Sequence, residues 1–266
     1  MSNRPLGARV AQRRAASTAL VLAGLAALSA CGEDTTAPSA QERLVTALDN
    51  FLADNVGYYT LSVPDGDTTA SDIGYFRVAP DANATLRTVE TDDGETLTVR
   101  YLRTVDDTWV LVPGSEAADV RSSCWVHGEL ENAAAAAGVN VQAVFDVSPS
   151  SPAIEVVLSL REGRVEDGEL VADANLRELV TALGSGAAKD LGLSKSRVDI
   201  PVVVKVSDER IVGWEVSLAA VAEASPDGDV LEVDPDSDAM ITATFEDPET
   251  DVDFSAPDEL NTLDED

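Results

Sequence analysis

Apolar residues recur at every second position in both halves of this 266-residue chain. Tyr59, Leu61 and Val63 do so in the first half, and the runs 202–206 and 214–218 do so in the second. Because successive side chains of a β-strand point to opposite faces, this spacing predicts strands with one buried face. A sheet built from such strands needs a second layer to cover its apolar face.

Turn-forming sequences separate these runs and predict antiparallel hairpins. They occupy 64–67, 92–95 and 207–210, and the first two carry Asp and Gly. The predicted strands are 56–63, a second strand through 76 and 78, 84–91, 96–104, 108–113, 198–206, 211–218 and 240–245.

Helical periodicity appears at the start and in the middle of the chain. Ser39 and Glu42 have the spacing of a capping box, and the residues that follow predict an amphipathic helix of about three turns. Its predicted apolar stripe is Leu44, Val45, Leu48, Phe51 and Leu52. Further helices are predicted within 129–137, 151–160 and 173–183, the last with Asp173 as N-cap. Strands with helices laid against them make an α+β fold.

The N-terminal segment has the pattern of a bacterial lipoprotein signal. Four arginines between positions 4 and 14 precede the apolar run 15–29, which ends in the lipobox Leu28-Ser29-Ala30-Cys31. This pattern predicts a diacylglyceryl thioether on Cys31, followed by cleavage before it. The apolar run is shorter than the roughly 20 residues of a spanning helix, so no transmembrane helix is expected. The competing interpretation is an ordinary secretory signal with a chance cysteine.

Charge restricts the partners of the mature chain. The 18 Lys and Arg residues oppose 49 Asp and Glu residues, a net charge of −31. Removing the four arginines of the signal leaves 14 against 49, or −35. Such a surface repels nucleic acids and anionic lipid head groups, so neither is an expected partner and the lipid on Cys31 must supply membrane attachment. Adaptation to high salt accounts for the acidity without any ligand.

Enzymatic motifs are weak in this sequence, and neither catalysis nor a cofactor is expected. Cys124 and the single histidine, His127, lie three positions apart, which favours a structural thiol over a catalytic pair. The aspartates within 234–238 have the alternate spacing of a calcium loop. However, Ala239 replaces its glycine and Phe245 its bidentate glutamate, so a solvated acidic loop is the better interpretation.

The order of these features resembles the LppX/LprAFG family of actinobacterial lipoproteins. The resemblance rests on the lipobox, the hairpin Pro-Val-x-Val-x-Val then Trp-x-Val-x-Leu, and the ending at 243–248 with Ala256-Pro257 beyond it. It spans Leu44 to Pro257. It implies a LolA-like fold, in which a strongly curved antiparallel sheet forms an incomplete barrel with helices and a hydrophobic cavity on its concave side. It also implies a lipid carrier that needs no cofactor.

These observations predict a signal peptide over 1–30, a lipidated cysteine and tether over 31–40, one LolA-like domain over 41–257 and an acidic tail over 258–266. The protein is then a lipoprotein on the extracytoplasmic face of the cell membrane that carries an acyl lipid, with a neutral lipid favoured by the charge. The alternative is a sensor or envelope-protein-binding module with a packed core. Predicted to line the cavity are Leu61, Phe76, Val99, Tyr101, Val204, Trp214, Val216 and Phe245.

Overall fold

A computed structural model describes the chain from residue 37 to residue 264 with gaps, and all of the described residues but Ala37 belong to one unit, Pro38–Asp266. The N-terminal segment with Cys31 lies outside them, as do Cys124, the predicted helix at 129–137, Asp234 and Asp236. None of the described helices is long and apolar enough to cross a membrane. The described residues are 37–65, 68–90, 96–111, 125–128, 151–183, 190–193, 198–231, 233, 237–248, 252–257 and 262–264.

The described residues form twelve strands and four α-helices, which confirms the α+β class. The strands are β1 Val56–Asp65, β2 Thr68–Arg77, β3 Ala82–Glu90, β4 Thr96–Thr104, β5 Thr108–Leu111, β6 Trp125–His127, β7 Arg161–Glu166, β8 Glu169–Asn175, β9 Asp199–Ser207, β10 Arg210–Ser217, β11 Met240–Glu246 and β12 Thr262–Asp264. The helices are α1 Ala40–Asp54, α2 Pro152–Ser159, α3 Leu176–Val180 and α4 Leu218–Ala224, with 3-10 turns at Thr181–Leu183 and Gly228–Leu231.

All twelve strands belong to one open sheet in the order β12-β6-β5-β4-β3-β2-β1-β11-β10-β9-β8-β7. Every neighbouring pair is antiparallel except β12 with β6. Strand β1 lies inside the sheet because it pairs with β2 along one edge and with β11, from near the C-terminus, along the other. Strand β12 falls within the segment predicted as a tail. The sheet does not close, since β7 and β12 are its two edges among the described strands.

The two faces of the sheet are covered differently. Tyr59, Leu61 and Val63 of β1 point to what we call the helix-covered face, where buried side chains of all four helices join one apolar cluster. Helix α1 packs against β7, β8 and β10, and α2 against β8 and β1. Tyr58 and its register partner Tyr75 point the other way, to what we call the opposite face. The helix-covered face therefore holds the main core.

Helix α1 begins at the predicted capping box. The Glu42 amide donates to Ser39 Oγ at 3.2 Å, and the Ser39 amide donates to Glu42 Oε2 at 2.7 Å. These bonds satisfy backbone donors that a helix N-terminus leaves free. The helix is one turn longer than predicted, and Val45 and Leu52 of the predicted apolar stripe are exposed. Phe51 is buried, with its ring 5.5 Å from that of Phe76.

The hairpin β7–β8 replaces part of a predicted helix. Asp173, the predicted N-cap, lies within β8, and α3 begins after Asn175, whose side chain accepts the Arg177 amide at 3.1 Å. The turn that joins β7 to β8 is Asp167-Gly168, with φ of 49° and 88°. Asp-Gly is a preferred pair for a two-residue turn with positive φ, so the sequence did contain a hairpin signal here.

Replacing Glu178 in α3 by glutamine is expected to stabilise the protein slightly at neutral pH. Partial burial, followed by the nearby charge of Glu155, raises the pKa of Glu178 above its usual value. A carboxyl with a raised folded-state pKa costs stability once ionised, and this cost vanishes below the unfolded-state pKa. Glu178→Gln should thus gain less than about 1 kcal/mol at pH 7 and nothing near pH 4. Urea unfolding at both pH values measures this difference, with exposed Glu223→Gln as control. An equal gain at both would contradict the assignment.

Candidate functional site

Six of the eight predicted cavity residues lie together in the main core. Each is at most 6% exposed, and each belongs to the cluster under the helices. Trp214 in β10 donates from Nε1 to the Ala153 carbonyl of α2 at 2.9 Å, which ties the sheet to the helix layer. The ring of Phe245 lies 5.1 Å from that of Phe51 in α1. The six are Leu61, Phe76, Val204, Trp214, Val216 and Phe245.

The other two predicted residues lie on β4, on the far side of β1 from this cluster. Tyr101 points to the helix-covered face, pairs in register with Val110 and is 3% exposed. Val99 pairs in register with Arg87, and its side chain lies outside the described residues. Leu61 and Tyr101 thus point to the same face of the sheet, but only Leu61 belongs to the cluster under the helices.

A cleft of about 550 Å3 lies on the opposite face, over strands β1 to β4. The register pairs Tyr58 with Tyr75, Tyr75 with Ala84 and Ala84 with Leu102, so these four side chains form one row across the sheet. The Tyr58 and Tyr75 rings are 5.4 Å apart in an edge-to-face arrangement. Side chains from the sheet that line the cleft are Tyr58, Ile73, Tyr75, Ala84, Arg100, Leu102 and Trp125.

The C-terminal segment 252–257 forms the other wall of this cleft. Phe254 anchors it, since this ring is buried with Ala82, Leu102 and Trp109. The guanidinium of Arg77 lies 5.0 Å from the centre of the Phe254 ring, a cation–π contact. The wall itself is made by Asp253, Ser255, Ala256 and Pro257.

Two charged side chains are part of the cleft lining. Asp253 lies on the C-terminal wall, where its Oδ1 accepts the Ser255 amide at 2.8 Å; this bond lowers the pKa of Asp253 below its usual value. Its carboxylate is thus ionised at neutral pH. Arg100 lies on β4 and is solvent-exposed. The remaining surface is mainly aromatic and aliphatic, as in sites that bind small apolar molecules.

A second cleft, of about 620 Å3, lies near the C-terminal end of α1 and has a different character. Arg210 occupies it and pairs with Asp54 at 2.7 Å and with Asp247. Phe245 is its main apolar lining residue, and most of the others are polar or charged. These ion pairs join α1 to β10 and to Asp247, the residue that follows β11, and the cleft offers no continuous apolar surface.

The single histidine is held by contacts within the sheet. His127 Nε2 lies 2.7 Å from Asp107 Oδ1, and its ring stacks on Trp109 at 5.2 Å. No group of three potential metal-binding side chains occurs among the residues described. The arrangement stabilises the β5–β6 end of the sheet.

Comparison with known proteins adds little. No protein-family model matches this chain, and no curated protein does. Among solved structures, the crystal structure of the Mycobacterium tuberculosis lipoprotein LppX is similar, with a TM-score of 0.38 and 12% identity over 82% of this chain and 100% of that one. That similarity is too low to indicate a shared function.

Apart from Tyr101, the residues that line the opposite-face cleft were not predicted as a site. Tyr58 occupies a position that the alternation assigned to the polar side of β1, and Tyr75 precedes the predicted core residue Phe76. Aromatic residues on the side of a sheet that faces away from its main core were the available signal. The contribution of 252–257 depends on where that segment crosses the sheet, which no local pattern predicts.

Proposed function

We propose that this chain is a lipid-anchored, extracytoplasmic binding protein that holds an acyl-chain ligand in the opposite-face cleft and carries it across the cell envelope without catalysis. The observation that supports this proposal is the cleft itself. Its volume is typical of small-molecule sites, roughly 300–1,000 Å3, and aromatic and aliphatic side chains dominate its lining. A hydrocarbon chain laid along Tyr58, Tyr75 and Leu102 would leave water and gain free energy by burial.

The proposed membrane anchor would limit the distance between the folded domain and a bilayer. With diacylglyceryl on Cys31 and the first helical residue at Ala40, eight residues lie between the anchor and the first helix, a span of nine residue steps. A fully extended tether of that length spans about 30 Å. The two acyl chains of a diacylglyceryl group give stable attachment, whereas one chain gives only marginal binding. A carrier held this close can exchange lipid with the membrane surface.

A second candidate function has its own support. Leu61, Trp214 and the other core residues of the helix-covered face are packed against α1 and α2, as expected of an envelope-protein-binding module rather than a carrier with an internal cavity. In that case the opposite-face cleft would receive an apolar side chain of a partner protein. The binding of free acyl chains distinguishes the two functions.

Replacing Trp125 by alanine is expected to weaken binding of an acyl-chain probe about tenfold. The indole is half-buried in the cleft lining, and its removal deletes about half of the roughly 1.5–3 kcal/mol that full burial of a large apolar side chain gives. Titration of a fluorescent fatty-acyl probe into protein produced without residues 1–30 and carrying Cys31→Ser measures the change. Mass spectrometry of organic extracts from the same protein would show any ligand that co-purifies.

The matched control is Trp214→Phe, which changes an aromatic residue on the helix-covered face. It should leave probe affinity unchanged in folded protein. Weakening by Trp214→Phe but not by Trp125→Ala would place the ligand on the helix-covered face. Absence of binding to every folded variant would favour the protein-binding module.

A further inference from the structure

We infer that the ligand of the opposite-face cleft is an amphiphile with one acyl chain and a single carboxylate, and that Arg100 binds this carboxylate. The inference rests on the proposed function and adds to it the chemistry of the head group. It departs from the neutral lipid that overall charge favours, because the charge inside the cleft differs from that of the whole surface.

Arg100 lies on β4 beside Leu102, the last residue of the apolar row formed by Tyr58, Tyr75, Ala84 and Leu102. It is two residues from Leu102 on β4, and both side chains point to the opposite face. Residues so spaced on a strand are about 7 Å apart. Continuing the β4–β5 register by one residue from Tyr101 and Val110 places Arg100 opposite Leu111, the register partner of Trp125. Arg100 and Trp125 thus lie on the same face of the sheet, two strands apart, and both line the cleft in which we place the acyl chain.

Arg100 is available for a ligand. Elsewhere in the sheet, Arg161, Arg164, Lys205 and Arg210 pair with carboxylates. Arg100 belongs to none of the ion pairs found in the described part of the chain, although the whole chain has a net charge of −31. It is also the one cation among the described residues that line this cleft. A carboxylate accepts two parallel bonds from a guanidinium, which gives both strength and orientation.

Asp253 disfavours an anionic head group beside the C-terminal wall, since it is the one carboxylate among the described residues that line the cleft. Its carboxylate is ionised and bonded to the Ser255 amide on the C-terminal wall, so it repels an anion there. The favourable position for a carboxylate is consequently at Arg100 on β4. Asp253 and the acidic surface around the cleft would repel a head group with two or more negative charges more strongly than one with a single charge. A singly charged head group is therefore favoured.

The test compares dodecanoate with dodecanol, which share a chain length and differ in charge. Isothermal titration of protein produced without residues 1–30 and carrying Cys31→Ser should show dodecanoate binding about tenfold more tightly than dodecanol. Arg100→Gln should remove most of that difference by weakening dodecanoate alone, and Arg100→Lys should retain part of it. The control is Arg43→Gln, an exposed arginine on α1, which should change neither affinity.

The possible results separate the two proposals. Equal affinities for both compounds, unchanged by Arg100→Gln, would overturn the head-group assignment and leave the acyl-chain site intact. Failure of both compounds to bind folded wild-type protein would overturn the proposed function together with this inference. Loss of dodecanol binding in Arg100→Gln, with unchanged circular dichroism, would also overturn the assignment, since the arginine would then support the cleft and not the head group.

Discussion

Replacing Trp214 by alanine is expected to lower the free energy of unfolding by about 3–5 kcal/mol. The side chain is 1% exposed and is among the largest fully buried ones. Its register partners Val204 and Ala243 hold it from both sides in the sheet, and its indole N–H is bonded to Ala153 of α2. Alanine would leave a cavity in the layer between sheet and helices and would remove the indole hydrogen bond to the Ala153 carbonyl.

Urea denaturation followed by far-ultraviolet circular dichroism measures this loss without relying on tryptophan emission. The control is Val165→Ala on the edge strand β7, where the valine is 54% exposed and the change should stay within about 0.5 kcal/mol. A loss below about 1 kcal/mol for Trp214→Ala would show that this side chain borders open space, as in a carrier with an internal cavity.

The stability loss caused by Trp214→Ala indicates which face of the sheet can bind a ligand. Trp214 and Phe245 pack against the helices, so the helix-covered face around β9 to β11 is a stabilising core. An acyl chain that entered this core would have to displace Phe51 and α1. The opposite-face cleft needs no such opening, because its floor is the pleated sheet and its wall is an irregular segment anchored at Phe254. Binding there costs less rearrangement of the fold.

Where alternation was clear, the sequence predicted the strands well. Leu61 and Val204 occupy every-second-residue patterns bounded by turn residues, and both lie in strands with their apolar faces inward. A strand with one buried face shows this alternation because one side faces the protein interior and the other faces water. The same pattern identified the hairpin of β9 and β10.

The prediction failed where both faces of a strand are buried or where distant segments meet. Leu170, Val171 and Ala172 of β8 are successive buried residues, so they show no alternation. The helical spacing of the leucines that follow extended the predicted helix back to Asp173. The opposite-face cleft was missed for the second reason, since the segment 252–257 reaches it from far along the chain. Local patterns determine element type better than they determine which elements meet.

The largest effect is expected at Cys31, the proposed site of lipid attachment. Replacing it by serine removes the only thiol in the lipobox Leu28-Ser29-Ala30-Cys31, so no thioether can form. Because cleavage of a lipoprotein signal follows acylation, the variant should retain residues 1–30 as well as lose its lipid. In a bacterium that processes lipoproteins, labelling with radioactive fatty acid and intact-mass measurement should show both changes as all-or-none effects.

The chain supplies its own control, because Cys124 is the one other cysteine. Cys124→Ser should keep both the label and the mature mass if acylation is specific to the lipobox. An ordinary secretory signal gives the opposite pattern: no label in wild type, and cleavage that does not depend on Cys31. The proposed carrier depends on this distinction, because a chain of such negative charge has no electrostatic attraction to anionic lipid and needs the two acyl chains on Cys31 to keep its cleft near the bilayer.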